Sequence, residues 1–408
     1  MNVRPAPHPD RLAASPSRPP PPPACAPPTG NPPAARHQPV TAEKPFLNTL
    51  RWTSAFVVLF GHAVAWSFAI NENGRQSAIA LTGLKYLLDL GGGAVIVFFV
   101  ISGYLVGGGV IRAGDAFRWR HYAISRFSRI YIVIVPALLL TAGLDGIAHV
   151  LAPTAPIYAA PWARLHEAVF SSYGWREVIA SLLSLESIIG RPMGSDKPLW
   201  SLGLEWFFYF LFPAALVAAR KLTGSLHWQL LLCAALAIGL AALGQRWLAV
   251  FWLIWLAGAA ASRVAAPRMV ALAGGLIGLG AFLATPFADP RIVDPAEGLG
   301  MALLLAWPPV MNARLGLTLD RRLADISYSL YVVHMPVLTF VVFCLWRAGA
   351  TPLARLPFGA AGLACWLGIC LAALMVASLF SVVFERRTDA LKRRLLRLSA
   401  PGLAASNA

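Results

Sequence analysis

The chain has 408 residues, 58% of them hydrophobic and 13% charged, with a mean hydropathy of +0.64. A soluble protein carries roughly twice that charged fraction, so an ordinary soluble domain is excluded and a polytopic membrane protein is indicated. The formal charge of +16 does not point to a nucleic-acid partner. Nucleic-acid binders gather basic residues on a soluble face, whereas these fall in short patches between apolar runs, where the positive-inside rule places them.

Residues 1–45 are rich in Pro, Ala, Ser and Arg, with consecutive prolines at 19–23. Such a segment buries no core and is expected to be a disordered cytoplasmic tail, partly polyproline II. It lacks the apolar h-region and small-residue cleavage site of a signal peptide. Apolar stretches of span-like length follow at about 52–70, 84–107, 128–150, 198–219, 227–244, 247–262, 270–286, 297–312, 326–346 and 358–384. The expected fold is an all-α polytopic membrane protein of about ten transmembrane helices within residues 46–387, with a basic cytoplasmic tail at 388–408. With the N-terminus inside, 24 of the 34 Lys and Arg residues fall in cytoplasmic segments, which supports N-in and C-in. The long external segment 151–197 contains "EVIASLLSLESIIG", expected as an interfacial or re-entrant helix and a candidate lid over a substrate cavity. Cys25, Cys233, Cys344, Cys365 and Cys370 show no CxxC or metal-ligand spacing, so neither a disulfide framework nor a metal is expected.

Three ionisable groups inside the spans stand out, since such groups are costly in lipid and mark function by default. In "LRWTSAFVVLFGHA" Arg51 and His62 are eleven residues apart. A helix advances about 16 Å over that separation and returns to within about 20° of its starting direction. The two therefore share a face, Arg51 near the cytoplasmic surface and His62 near the bilayer centre. His334, in "ISYSLYVVHMPVL", lies about 12 Å in from the same side, and Glu205, in "PLWSLGLEWFFYFLFP", about 10 Å in from the external side. In a hydrocarbon core about 30 Å thick all three fall near one depth, on three separate helices. Plainer readings stand beside this one. An intramembrane His also serves as an interhelical hydrogen-bond residue, Glu205 as a protonated donor, and Ser201, one turn before it, as a backbone-bonding serine. Ser327 and Tyr331, on the face of His334, would extend a polar seam. The loop "RAGDAFRWRHYAISRFSRIY" holds Arg112, Arg118, Arg120, Arg126 and Arg129. Guanidinium clusters suit phosphate capture and equally suit topology and anionic headgroups.

Five segments in order resemble the membrane-bound acyltransferase-3 family. The Arg51-x10-His62 spacing is similar to its first-helix signature and "FFVISGYL" (98–105) to its second-helix motif. "SRFSRIY" (125–131) resembles its basic segment, "PLWSLGLEWFFYFLFP" (198–213) its Trp-Ser-Leu-x-x-Glu element, and "ISYSLYVVHMP" (326–336) its late Tyr-Ser-Leu-Tyr-x-x-His motif. The resemblance runs over about residues 46–387. It departs at Ile96 and Trp206, where the family often has acidic residues, and at Ile132, where it often has proline; the roles of those acidic groups are not carried over.

The resemblance implies a stand-alone form, without an SGNH-like esterase domain, in the bacterial cytoplasmic membrane. It implies transfer of an acyl group, most simply acetyl, from cytoplasmic acyl-CoA to a hydroxyl of a cell-surface or exported carbohydrate. His62 would be the catalytic general base and Glu205 would orient the imidazole or the acceptor. Arg51, Arg126 and Arg129 would bind the CoA phosphates, and Ser201, Tyr331 and His334 would support the substrates. Acylation of a small hydroxylated metabolite such as a macrolide, or succinylation of a glucan, are alternatives. A secondary transporter using the same groups as a proton relay is the rival class, although no broken-helix repeat is evident.

Overall fold

The computed structural model describes residues 44–68, 78–159, 168–314, 319–349 and 356–399. Its principal helices are α1 (Pro45–Ser67), α2 (Ala78–Ser102, continued by a π-turn at Gly103–Gly107 and by Gly108–Ala113) and α3 (Trp119–Leu151). They continue with α4 (Leu199–Leu222), α5 (Leu226–Ala242), α6 (Arg246–Ala261), α7 (Arg268–Ala284) and α8 (Pro290–Leu305). The last are α9 (Asp320–Arg347), α10 (Ala360–Val383) and α11 (Thr388–Leu398). Among the described residues the only extended pairing is an isolated bridge between Phe68 and Leu356.

Each apolar stretch expected from the sequence overlaps one of the helices α1–α10. Among the described residues five helical segments are long and apolar enough to cross a membrane: Thr82–Ala116, Trp119–Leu151, Leu199–Leu222, Asp320–Arg347 and Ala360–Leu398. Helices α5, α6 and α7 are apolar but shorter. At 23 residues α1 has the length, but Arg51, His62 and a run of hydroxyl side chains dilute its apolarity. The chain is thus a helical, multi-pass membrane protein.

Three expectations shift. The stretch expected at 297–312 is helical over Pro290–Leu305. The Asp289 carboxylate accepts the Arg291 N–H at 2.8 Å and Pro290 opens the first turn, both strong start signals. Pro308 and Pro309 bar continuation at the other end. The stretch "EVIASLLSLESIIG" is not one helix but two, Trp175–Leu182 and Glu186–Ile189, broken at Ser184 with φ +52°. The longer of these exposes Trp175, Ile179 and Leu182, as an interfacial helix does. Residues 388–398, expected within a tail, form α11, which Arg120 tethers through the Leu396 carbonyl (3.2 Å) and the Ser399 hydroxyl (2.8 Å). Residues 1–43 and 400–408 lie outside the described residues, and so do most of the N-terminal tail and the end of the C-terminal one.

Helix packing places the later site. The "ISGYL" π-turn of α2 presses on α6: a Cβ on Gly103 would sit 1.9 Å from the Trp255 carbonyl oxygen, and one on Gly258 would sit 2.2 Å from that of Val100. Only glycine allows two backbones this close. Behind that contact Phe208, Phe212, Trp252 and Trp255 are fully buried between α4 and α6. α1 packs against α2, α9 and α10.

Candidate active site

α1 and α9 run in parallel from a shared anchor. The Asp320 carboxylate accepts from Trp52 Nε1 at 2.8 Å and from Thr49 Oγ1 at 3.1 Å, tying the first turns of the two helices. From Thr49 to His62 is thirteen residues and from Asp320 to His334 fourteen, a climb of about 20 Å along each helix. The equal climb brings the two histidines level. His62 Nδ1 lies 2.9 Å from His334 Nε2, and the two rings meet edge to edge, with centroids 5.1 Å apart and planes 12° apart. His334 is buried, and its Nδ1 lies 2.8 Å from the Tyr331 carbonyl and 3.1 Å from that of Leu330. His62 is half-buried.

Beside this pair is a cavity of 560 Å³. Arg51, Arg126, Arg129 and Arg386 line it together with Glu205, Asp325 and Glu385, and Phe98, Phe99, Leu105 and Val106 give it apolar wall. This size suits a ligand with a long, largely apolar body and a few fixed polar contacts. The arginines are not equivalent. Arg129 pairs with Glu385 at 2.8 Å, and Glu385 also accepts from the Ser329 hydroxyl at 2.7 Å. Arg51 and Arg126 have no carboxylate partner among the described residues. Their forks, and that of Arg386, which likewise has no ion pair among the described residues, are able to receive a bidentate anion.

Ser201 and Tyr331 also line the cavity, their hydroxyls 2.6 Å apart. Both hydroxyls also reach the Pro198 carbonyl, Tyr331 at 3.1 Å and Ser201 at 3.4 Å. The Tyr331 ring is 5.9 Å from that of His334, which makes it the cavity wall nearest the histidine pair. Neither histidine is itself among the described lining residues. Glu205 accepts from the Tyr209 hydroxyl, one turn on along α4. Ser102, at the mouth of the π-turn, bonds Tyr209 at 3.4 Å and receives the Trp255 indole N–H at 3.1 Å. The expected residues thus fall in two adjoining groups: His62 with His334, and Arg51, Arg126, Arg129, Ser201, Glu205 and Tyr331 around the cavity. Glu205 reaches Tyr209 rather than His62, because α4 turns that face toward Ser102 of α2, while α9 supplies the histidine's partner. Ser327 bonds the Ala324 carbonyl at 2.7 Å and acts as a backbone-bonding serine on the cavity wall.

Sequence reasoning did not single out Asp320, Glu385 or Tyr209, nor a second polar cluster built on the segment between α3 and α4. Asp145, near the end of α3, accepts from Tyr173 at 2.7 Å and from the Ser195 hydroxyl at 2.8 Å. Asp196 is fully buried and Glu186 nearly so. Burial pushes the Glu186 carboxyl up to about 8 and the Asp196 carboxyl well above the usual carboxylate range, the latter helped by Asp145. Burial, followed by the nearby Arg191, lowers the Lys197 ammonium to about 8. Asp145 sits in an apolar run, so the criterion that found Glu205 finds it too. Glu186 and Asp196 lie in a segment whose charges, read as sequence, look solvated.

A helical membrane protein with a histidine pair, His334 buried and His62 half-buried, beside an arginine-lined cavity is the class that this geometry defines. Among the described residues no group of three or more His, Cys, Asp or Glu side chains is arranged to hold a metal ion. The acyltransferase-3 family model, described as an acyltransferase domain, matches residues 44–382. The chain belongs to that family. It is 28% identical over 204 residues to Acyltransferase MdmB of Streptomyces mycarofaciens, a match that covers 48% of this chain and 44% of that relative. No solved structure gives a significant match.

Proposed function

We propose that the chain transfers an acyl group, most simply acetyl, from acyl-CoA to a hydroxyl of a cell-surface or exported carbohydrate. The observation that supports this reading is one cavity joining Arg51 and Arg126, neither in a direct ion pair with a carboxylate among the described residues, to Tyr331, whose ring adjoins that of His334. In this reading α1–α10 make ten crossings of the bacterial cytoplasmic membrane within residues 46–387. Both tails, 1–45 and 388–408, are cytoplasmic. Arg51 and Arg126 take the CoA phosphates, and Arg129, paired with Glu385, shapes that end. The pantetheine arm follows the apolar wall and carries the thioester past Tyr331.

The His62 imidazole removes the acceptor hydroxyl proton as the oxygen attacks the thioester carbonyl, a role suited to a group that titrates near neutrality. The tetrahedral intermediate collapses, the carbon–sulfur bond breaks, and the CoA thiolate recovers the proton from the imidazolium. An ester and free CoA result. Glu205, held by Tyr209, orients the acceptor, and Ser201 with Tyr331 supports it.

The test is thiol release from acetyl-CoA and succinyl-CoA in membranes containing the protein, against a panel of envelope glycans, a glucan and a hydroxylated macrolide. Release that needs an acceptor, with the matching ester mass on it, supports the reading and names the acceptor. Ester on the macrolide alone would replace the carbohydrate. No release with any donor would overturn acyl-CoA as the source.

A further inference from the structure

We infer that His334 is a positioning residue that fixes the tautomer of His62, holding the proton on Nδ1 so that His62 exchanges protons through Nε2. The argument starts from what each atom is able to do. Backbone carbonyls only accept. His334 Nδ1 lies within 2.8 Å of the Tyr331 oxygen and 3.1 Å of the Leu330 oxygen, so it carries a hydrogen. Val332, Val333, Met335 and Leu338 surround it in sequence, each no more than 1% exposed, and His334 itself is 1% exposed.

An imidazolium there would be a buried charge facing an imidazole and two carbonyls, without a carboxylate, and such a charge is costly. His334 is therefore neutral, with its hydrogen on Nδ1 and a bare lone pair on Nε2. That lone pair is 2.9 Å from His62 Nδ1, a hydrogen-bond distance that requires a donor. His62 Nδ1 supplies it. The same assignment holds whether His62 is neutral or protonated, because in both states Nδ1 bears the hydrogen.

The device parallels the carboxylate of a Ser-His-Asp triad, which holds its imidazole in the productive tautomer; the wrong tautomer there costs about 10⁴-fold in kcat. Here the holder is a neutral imidazole whose own hydrogen is pinned by a helix backbone. α9 supplies both parts, since carbonyls three and four residues before a histidine lie on its own face. The catalytic consequence rests on the reading of His62 as base; the tautomer itself does not.

The experiment is ¹⁵N NMR of the full chain in lipid bilayers with ring-labelled histidine, His62 being assigned by the signals lost in His62→Gln. The expected result is a pyrrole-like Nδ1 on His62, coupled across the hydrogen bond to a pyridine-like Nε2 on His334. His334→Phe keeps an aromatic ring but removes the acceptor. It should release His62 from the Nδ1–H form and lower kcat by about 10²- to 10⁴-fold, with the donor KM within about twofold. His334→Gln, whose side-chain oxygen is able to accept from Nδ1–H, should restore part of kcat. A pyridine-like His62 Nδ1 in the wild type would overturn the inference, whatever the variants do. So would a His334→Phe protein with unchanged spectrum and kcat. If His62→Gln turned over normally, the base assignment would fall while the spectra still decided the tautomer.

Discussion

Two tightly packed helix pairs in this molecule are built on opposite principles. α7 and α8 meet through glycine: a Cβ on Gly300 would sit 2.4 Å from the Gly278 amide nitrogen and 2.5 Å from the Gly274 carbonyl oxygen. The outward face of α7 exposes Met269, Leu276, Ile277 and Leu279, as a lipid-facing helix does. α1 and α9 meet through polar groups instead: Thr49 and Trp52 on Asp320 at one end, and His62 on His334 further along. In lipid, close van der Waals packing suffices for association, and the contacts at Gly274, Gly278 and Gly300 supply it without a side-chain hydrogen bond. The polar groups between α1 and α9 are not required to hold two helices together. What they require is a function.

That contrast divides the effects of substitution. The largest is expected at His62. His62→Ala should lower acyl transfer by about 10³-fold, within the range for loss of a general base, while membrane insertion and thermal midpoint stay at wild-type values. Loss of folded protein in step with activity would instead make the α1–α9 seam a scaffold. Next comes the glycine seam. Gly300→Leu should cost about 1–3 kcal/mol of stability, the usual cost of overpacking, and should show as a lower midpoint and yield. Turnover per folded molecule should hold; a selective fall in kcat would extend the site into α8.

Arg51→Ala comes third, because Arg51 lines the cavity without a carboxylate partner. The donor KM should rise about tenfold, equivalent to about 1.4 kcal/mol, with kcat nearly unchanged. A fall in kcat at constant KM would move Arg51 from donor binding to the transition state.

The smallest effect belongs to the polar cluster between α3 and α4. Burial lifts the Glu186 carboxyl from 4.5 to about 8, so between those values the folded segment binds more protons than the unfolded one. Stability there must fall as pH rises through that window. Lys197, lowered from 10.5 to about 8, has the opposite slope but acts only above about 8. Glu186→Gln should therefore flatten the pH dependence of amide protection around residues 175–197 between about pH 5 and 8. Asp196, raised in the same direction, keeps some slope in the variant. An identical slope in both proteins would contradict the assignment.

How much of this was legible in the sequence follows from what periodicity encodes. Helix rise and turn give position along an axis and a face, so the order of helices and the shared face of Arg51 and His62 came from spacing alone. They do not give the neighbour on that face. Glu205 and His334 were expected at one depth with His62, yet only His334 touches it, because contact depends on how α4 and α9 are rotated in the bundle. The apolar run of the eighth helix extends beyond the helix itself, whose ends are set by the Asp289–Pro290 start and the Trp307-Pro-Pro stop. The Asp320 anchor was invisible for a related reason. An acidic residue in a helix's first turn has an ordinary place beside the dipole, and nothing in the sequence names its partner as Trp52.

The most direct test of the central claim follows labelled acetyl from donor to product. Membranes with wild-type protein or His62→Ala, at matched abundance, would receive [¹⁴C]acetyl-CoA and the acceptor identified in the thiol-release panel. The account predicts hydroxylamine-labile label on the acceptor in the wild type and background label in His62→Ala. Equal ester formation by the two proteins would contradict it.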